Sequence, residues 1–239
     1  ATSGGVFLRP RNGSVWSAVK KNFPLMPGDT LRTDPGAMAD ITVDGKVVFS
    51  VLDRSKIIFE KISERETLIT LENGYLVGSM GKNDGRIFSV AAPIMQTSAQ
   101  NCGFVVHYSA AGNEVTAASF GPGALTVNRV GADGAVAKGV KVVTGKELTF
   151  TDSTQYLVAA DAILLAQYQD LAGKNSAKLA KLAKTWKPGN PDSALSLRER
   201  VFSKAEDAFV SGDAIPKMTP YDDGMHHRRE NNDSWPQGR

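Results

Sequence analysis

The run Pro27-Gly28-Asp29-Thr30-Leu31-Arg32-Thr33 joins a tight turn to the start of an extended segment. Proline presets φ, Gly28 can take a positive φ, and the Asp29 carboxylate can accept hydrogen bonds from nearby backbone N–H groups. Leu31 and the flanking threonines then favour a strand. We therefore interpret Pro27, Gly28 and Asp29 as structural turn residues and expect a β-strand directly after them.

The same succession of turns and short strands extends outward from this run across residues 1–150. Segments rich in Val, Ile, Thr and Phe, such as 39–43, 47–51 and 104–108, recur at short intervals. The turns between such segments include Asp44-Gly45, Asn73-Gly74, Gly112-Asn113 and Thr144-Gly145. This spacing predicts a mainly β fold, built as a twisted solenoid-like or sandwich-like stack of short strands.

Residues 151–212 change to a helical spacing and predict a small helical appendage. Apolar residues recur at this spacing over 159–171, and Gly173 is expected to end the first helix. Ser176 is a suitable N-cap for a second, short helix, and Ser193 opens a third helical pattern.

Residues 213–239 are polar and cannot bury a core, so we expect an extended polar tail there. The chain therefore divides into a β domain (1–150), a helical appendage (151–212) and this tail (213–239).

The composition of the 239 residues argues against nucleic-acid binding, a membrane-spanning segment and an internal disulfide. There are 28 Lys and Arg against 25 Asp and Glu, a net charge of +3 that is too weak to indicate nucleic acid. No apolar run is long enough to span a bilayer. The single cysteine, Cys102, permits no intramolecular disulfide.

The residues offer little that could support catalysis. Cys102 and His107 could form a dyad, but a buried thiol and an unrelated strand histidine are favoured because no third orienting group is visible. His226 and His227 lack a carboxylate or thiol at ligand spacing, so a metal site there is disfavoured. We predict no catalytic residue, no metal and no cofactor.

Two stripes in the helical appendage are candidate partner-binding surfaces. The basic stripe could face an anionic surface or only solvent, and the apolar stripe could dock within the chain or on a partner. The basic side chains are Lys178, Lys181 and Lys184, and the apolar ones are Leu197, Val201, Phe202 and Phe209.

Several short motifs stand in a fixed order around the opening run. They are Trp16 before it, then Gly36, Ala39-Asp40-Ile41, Val90-Ala91-Ala92-Pro93, Gly103-Phe104-Val105-Val106 and Thr144-Gly145-Lys146-Glu147. In this order, residues 5 to about 150 resemble the FecR domain of bacterial envelope proteins. The chain departs from the family pattern at Asn101-Cys102-Gly103, where Arg-Gly-Thr is usual, and at Ala92, where threonine is usual.

The resemblance implies a periplasmic or otherwise extracytoplasmic β domain with a solenoid-like stack of strands. We expect a non-enzymatic interaction or scaffold protein whose partners are other envelope proteins or copies of itself. One alternative is a module that binds peptidoglycan or another glycan, with Trp16 or Tyr75 as stacking platforms. Another is a periplasmic signalling module of a transport-regulating system.

Overall fold

The computed structural model describes residues 2–82, 86–154 and 157–211, and within them the chain is mainly β, as predicted. The strands form two layers that share one long strand. The first layer contains, in spatial order, β1 (Thr2–Ser3), β5 (Met38–Val43), β6 (Val47–Val51), β8 (Glu66–Met80), β11 (Gly103–Ser109), β12 (Glu114–Phe120), β15 (Lys146–Thr151) and β16 (Ala160–Asp161).

The second layer runs alongside the first and also passes through β8. Its order is β3 (Ser17–Ala18), β2 (Val6–Arg9), β4 (Thr30–Thr33), β7 (Lys56–Ile62), β8, β9 (Ile87–Ala92), β10 (Met95–Gln100), β13 (Ala124–Arg129) and β14 (Val140–Val143). Neighbouring strands are antiparallel throughout the described ladders except for the parallel pair β8 and β9.

The core lies between the two layers. Phe88 of the second layer contacts Phe49 and Phe104 of the first, with ring centroids 5.5 Å and 5.2 Å away. All three side chains are buried. Two sheets with facing apolar sides therefore bury each other, which is the sandwich-like alternative.

The solenoid-like alternative is wrong. In a solenoid each coil contacts only the coils next to it in sequence. Here β8 pairs with β6, β7, β9 and β11, and β10 pairs with β13 across two intervening strands.

Strand β8 changes layer at Gly74. Its first half pairs with β7 and β9, and its second half pairs with β6 and β11. Gly74 has φ +97°, and a Cβ there would lie 2.2 Å from Ser55 Oγ. Only glycine fits this bend, so the expected turn at Asn73-Gly74 is instead a change of direction within one strand.

The outer face of the first layer is covered by helix α1 (Gln169–Thr185), which follows a short 3-10 turn (Ala166–Tyr168). Ala172, Asn175 and Leu179 are the buried residues of α1. Asn175 Nδ2 donates to the carbonyl of Val77 at 3.0 Å and to Ser50 Oγ at 3.2 Å. A second apolar cluster, which includes Val77 and Ala172, forms on this face.

The predicted boundary between a first and a second helix is wrong, and so is the predicted helical start of the first one near residue 159. In both places tertiary contacts outweigh the local sequence signals. Helix α1 continues through Gly173 and Ser176, where an end and a new N-cap were expected. Gly173 faces open space, so its cost of about 1 kcal/mol relative to alanine is tolerated in a helix held by packing.

Residues 157–165 are not helical, and Ala160–Asp161 within them forms strand β16. The N–H of Ala162 donates to Gly145 O at 2.9 Å, and β16 pairs with β15. The buried carboxylate of Glu147 accepts the N–H groups of Leu164 and Leu165 at 3.1 Å and 3.0 Å. The sheet edge therefore satisfies backbone groups that a helix would have satisfied internally.

Helix α2 (Pro191–Ser211) begins two residues before the predicted Ser193. Asn190 caps it, because its Oδ1 accepts the N–H of Asp192 at 2.9 Å, and Pro191 occupies the first helical position. No helix among the described residues is long and apolar enough to cross a membrane. The predicted tail lies outside the described residues.

Candidate functional site: the Asp29 turn and helix α2

Hydrogen bonds hold the turn at Pro27-Gly28-Asp29 against strand β7. Gly28 has φ +89°, and its N–H donates to Phe59 O at 2.6 Å. The N–H of Phe59 donates in return to Asp29 O at 2.9 Å. The N–H of Met26 donates to Asp29 Oδ2 at 2.8 Å, so the Asp29 side chain bonds the backbone three residues earlier and stabilises the turn.

The Asp29 carboxylate also binds helix α2. Arg198 donates from Nη1 to Asp29 Oδ2 at 2.6 Å and from Nη2 to Asp29 Oδ1 at 2.7 Å. The two residues are 1% and 7% exposed. A planar guanidinium and a carboxylate matched in this way form the strongest type of protein ion pair, with a defined orientation.

Phe23 and Pro24 provide further contacts to the Arg198 guanidinium. Nη1 also donates to Pro24 O at 2.8 Å. The guanidinium lies over the rings of Phe23 and Phe202, at 5.8 Å and 5.3 Å from their centroids. The two rings meet edge to face at 5.8 Å, and such pairs add to the burial of both side chains.

Arg198 is the only buried residue of α2. A buried ion pair contributes little net stability against an apolar replacement, but removing one partner is costly because the other is left buried and charged. The pair therefore determines where α2 lies more than how stable the β layers are. We call the Asp29 turn, Phe23, Pro24 and Arg198 the α2 clamp.

The predicted apolar stripe divides into a docked part and an exposed part. Leu197, Val201 and Phe202 are half-buried, and Phe202 packs against the main core cluster. Phe209 is 56% exposed, and its neighbour Val210 is 85% exposed. The structure therefore uses the start of the stripe within the chain and leaves its end in solvent.

The basic stripe is also divided. Lys178 Nζ lies 3.2 Å from Asp40 Oδ2, in a half-buried pair that attaches α1 to β5. Lys181 and Lys184 are exposed. Only these two of the three predicted lysines face solvent freely.

Cys102 and His107 lie on opposite sides of the first layer. Cys102 is buried in the core between the layers, and its Sγ donates to Ala124 O at 3.3 Å. Burial raises the pKa of its thiol. His107 stacks on Tyr75 of the outer face at 4.0 Å, and burial lowers its pKa, an effect that Glu114 opposes. The two side chains form no dyad.

Both proposed glycan-stacking rings are engaged within the chain. Tyr75 stacks on His107 and also contacts Tyr168, with centroids 5.2 Å apart. The guanidinium groups of Arg9 and Arg32 lie 5.0 Å and 5.4 Å from the centroid of Trp16. A glycan would have to compete with these contacts.

The described residues contain no group of three or more His, Cys, Asp or Glu that could hold a metal ion. His226 and His227 lie outside the described residues.

Arg198, Phe23 and Pro24 were missed by the sequence analysis. One signal for Arg198 was present, because it interrupts an otherwise apolar helix face between Leu197 and Val201. A charged residue in that position requires either solvent or a buried counter-charge. No comparable signal marks Phe23 or Pro24, which occupy an irregular loop.

No protein-family model matches the chain, and no curated protein matches it. Two crystal structures of a candidate anti-sigma factor from Parabacteroides distasonis are similar to it, each at 10% sequence identity. The first has a TM-score of 0.47 and covers 59% of this chain, and the second has a TM-score of 0.46 and covers 57%.

The chain spans 64% and 61% of the length of those two structures, less than two thirds in each case. A likeness at this level says nothing about what this chain binds.

Proposed function

We propose that this chain is a non-enzymatic interaction protein of the bacterial cell envelope, in which the β layers hold helix α2 in position to bind a protein partner. The partner is another envelope protein or a second copy of this chain. We also propose that the protein acts outside the cytoplasm.

The exposed end of α2 is the observation that carries this proposal. Phe209 and Val210 are adjacent, large and apolar, and they are 56% and 85% exposed. They follow the clamp at Arg198 by three helical turns, on a helix whose position is set by the buried ion pair. Apolar side chains presented on a positioned helix are typical of helix-mediated protein recognition.

The resemblance of residues 5 to about 150 to FecR domains supports the extracytoplasmic part of the proposal. The run from Pro27 to Thr33, which carries much of that resemblance, is the same segment that clamps α2. The aspartate in this run, Asp29, therefore has a structural role, because it forms the ion pair that holds α2.

Site-specific photo-cross-linking in the native bacterium tests the proposal. A photoreactive residue at position 209 or 210 should give a discrete adduct, and the same residue at Lys204, an exposed polar position on α2, should not. An adduct of twice the chain mass identifies a second copy, and any other discrete mass identifies a different partner. Equal labelling from all three positions, or no adduct at 209 and 210, would overturn the proposal.

A deletion separates the role of α2 and the residues after it from that of the β layers and α1. Removing residues 190–239 should abolish assembly with the partner, because α2 is lost together with everything that follows it. If assembly and localisation are unchanged in this variant, the partner does not bind α2. Fractionation of the intact protein between periplasm and cytoplasm checks the proposed location separately.

A further inference from the structure

Helix α2 is held to the rest of the chain over a short part of its length. Arg198 is its only fully buried residue, and its large apolar neighbours Leu197, Val201 and Phe202 are half-buried. Farther along the helix, Phe209 is 56% exposed. Because α2 takes no part in the strand ladders, it can leave this contact without breaking any hydrogen bond of the sheets.

The link between α1 and α2 is short, exposed and outside both sheets. Trp186 lies against Gly45 and fixes the start of the link, so residues 187–190 form a hinge. All residues of this hinge are exposed. Fully extended, the hinge reaches about 13 Å, and Arg198 lies about 12 Å along α2 from the hinge. The hinge is therefore long enough to carry Arg198 to the Asp29 turn of an adjacent copy.

The contacts that hold α2 do not depend on the hinge. The Asp29 carboxylate accepts two hydrogen bonds from Arg198 at 2.6 Å and 2.7 Å, and Pro24 O accepts a third at 2.8 Å. The ring of Phe23 meets that of Phe202. The groups on the β layers all precede α1, and the groups on α2 all follow the hinge. An α2 from a second copy would therefore make the same contacts.

We propose that α2 exchanges between two copies of this chain, so that Arg198 of each copy binds Asp29 of the other. The second copy is favoured as the occupant because its α2 carries the complementary arginine and phenylalanine at the required spacing. This inference rests on the proposed function, because it takes α2 as the contacting element and names a second copy as its partner.

A two-fold exchange fills both binding sites and leaves none open, so assembly ends at a dimer. The two hinges run beside each other in such a dimer. Trp186 and Leu195 lie next to the hinge, and they are 39% and 44% exposed in the single chain. The exchanged dimer brings these apolar side chains of both copies to the place where the copies meet, and their burial favours the dimer.

The length of the hinge tests the exchange. In the single chain the hinge gives α2 an effective concentration in the millimolar range at its own site, so the native chain should form dimers only near about 1 mM. Removing Pro188 and Gly189 halves the hinge and puts the chain's own site out of reach, while the clamp residues are unchanged. Light scattering should then give a dimer association constant at least about a hundredfold higher than that of the native chain.

A lengthened hinge is the matched control. Insertion of about six glycine and serine residues after Gly189 changes the same place in the chain but leaves its own site within reach. The dimer association constant should therefore not rise. A shortened variant that stays monomeric up to about 1 mM would overturn the inference, and so would an equal rise in both variants.

Isotope mixing tests the exchange with the native hinge, and it decides the question if the shortened variant does not fold. A benzophenone side chain at position 202 replaces a ring that lies 5.8 Å from the ring of Phe23. Unlabelled and isotope-labelled full chains are mixed in urea, refolded together, concentrated to about 1 mM and illuminated. Exchange joins position 202 of one label to residues 19–25 of the other, in up to about half of these adducts. Adducts within one label alone would overturn the inference.

The same side chain at position 168 is the control for chance collisions. Tyr168 contacts Tyr75, with ring centroids 5.2 Å apart, in the part of the chain that does not exchange, so its adducts should stay within one label. Equal mixing of labels from both positions would overturn the inference. Failure of the exchange leaves the proposed function standing if position 209 still cross-links to another protein in the bacterium. Absence of adducts from 209 and 210 overturns the proposed function, even where the purified chain exchanges α2.

Discussion

Replacing Arg198 by methionine should release helix α2 from the β layers. Methionine retains much of the side-chain volume but none of the three hydrogen bonds that Arg198 donates to Asp29 and Pro24. If α2 stayed in place, the Asp29 carboxylate would remain buried with only the N–H of Met26 as a donor. Leaving one member of a buried ion pair without its counter-charge costs about 3–5 kcal/mol of folding stability.

The chain can avoid this cost by undocking α2, because Arg198 is the only fully buried residue of the helix and its apolar neighbours Leu197, Val201 and Phe202 are only half-buried. We therefore expect a local change, with little loss in the β layers. Hydrogen exchange measured by mass spectrometry should show loss of protection over residues 191–211 and retained protection in strand β8. The exposed Arg200 on the same helix provides the control, and Arg200→Met should change stability by no more than about 0.5 kcal/mol.

A double-mutant cycle gives the strength of the clamp directly. Asn at position 29 can still accept the N–H of Met26, so Asp29→Asn removes the charge while keeping the turn. Urea unfolding of this variant, Arg198→Met and the double variant should give a coupling energy of about 2–3 kcal/mol. A coupling below about 0.5 kcal/mol, with α2 still protected in Arg198→Met, would refute the role of the pair.

Three further predictions concern the β layers and helix α1. Burial lowers the pKa of His107, so the unfolded chain binds the proton more tightly and the free energy of unfolding should fall as pH drops below about 6.5. His107→Gln should flatten this pH dependence, measured by urea unfolding from pH 7.5 to 5.5. The same pH dependence in the variant and the native chain would contradict the prediction. Gly74→Ala should destabilise the fold by at least about 2 kcal/mol because its Cβ would collide with Ser55. Gly173→Ala should stabilise it by about 0.5–1 kcal/mol, because this helical glycine has open space around it and alanine is the better helix former. Equal shifts in melting temperature for the two variants would contradict both expectations. Cys102 is buried with a raised pKa, so a thiol reagent should label it roughly a hundredfold more slowly in native buffer than in urea, and rapid native labelling would disprove its burial.

The sequence predicted the features that depend on neighbours in the chain. Asp44-Gly45 takes the left-handed conformation, with φ of 47° and 64°, and joins β5 to β6 as the dipeptide indicated. Asn73-Gly74 carries the same local signal but lies inside β8, because strands on both sides continue the pairing. A dipeptide cannot distinguish a hairpin from a bend when the partners that decide are distant in sequence.

The candidate site was predicted only in part for the same reason. The apolar stripe on α2 was visible from its spacing, and Asp29 was visible as a turn residue. Their connection was not, because Asp29 and Arg198 are 169 positions apart and each has an ordinary local explanation. The non-helical course of residues 157–165 likewise involves Glu147, which binds the backbone of Leu164 and Leu165, and no periodicity within the segment indicates that contact.

The sharing of β8 between the layers makes the β fold indivisible. Residues before β8 supply strands to both layers, and so do residues after it. Neither layer can be expressed as a separate fragment, and a break in the chain on either side of β8 would leave both sheets incomplete. The β region should therefore fold and unfold as one cooperative unit, at the slow rates typical of pairings between distant segments.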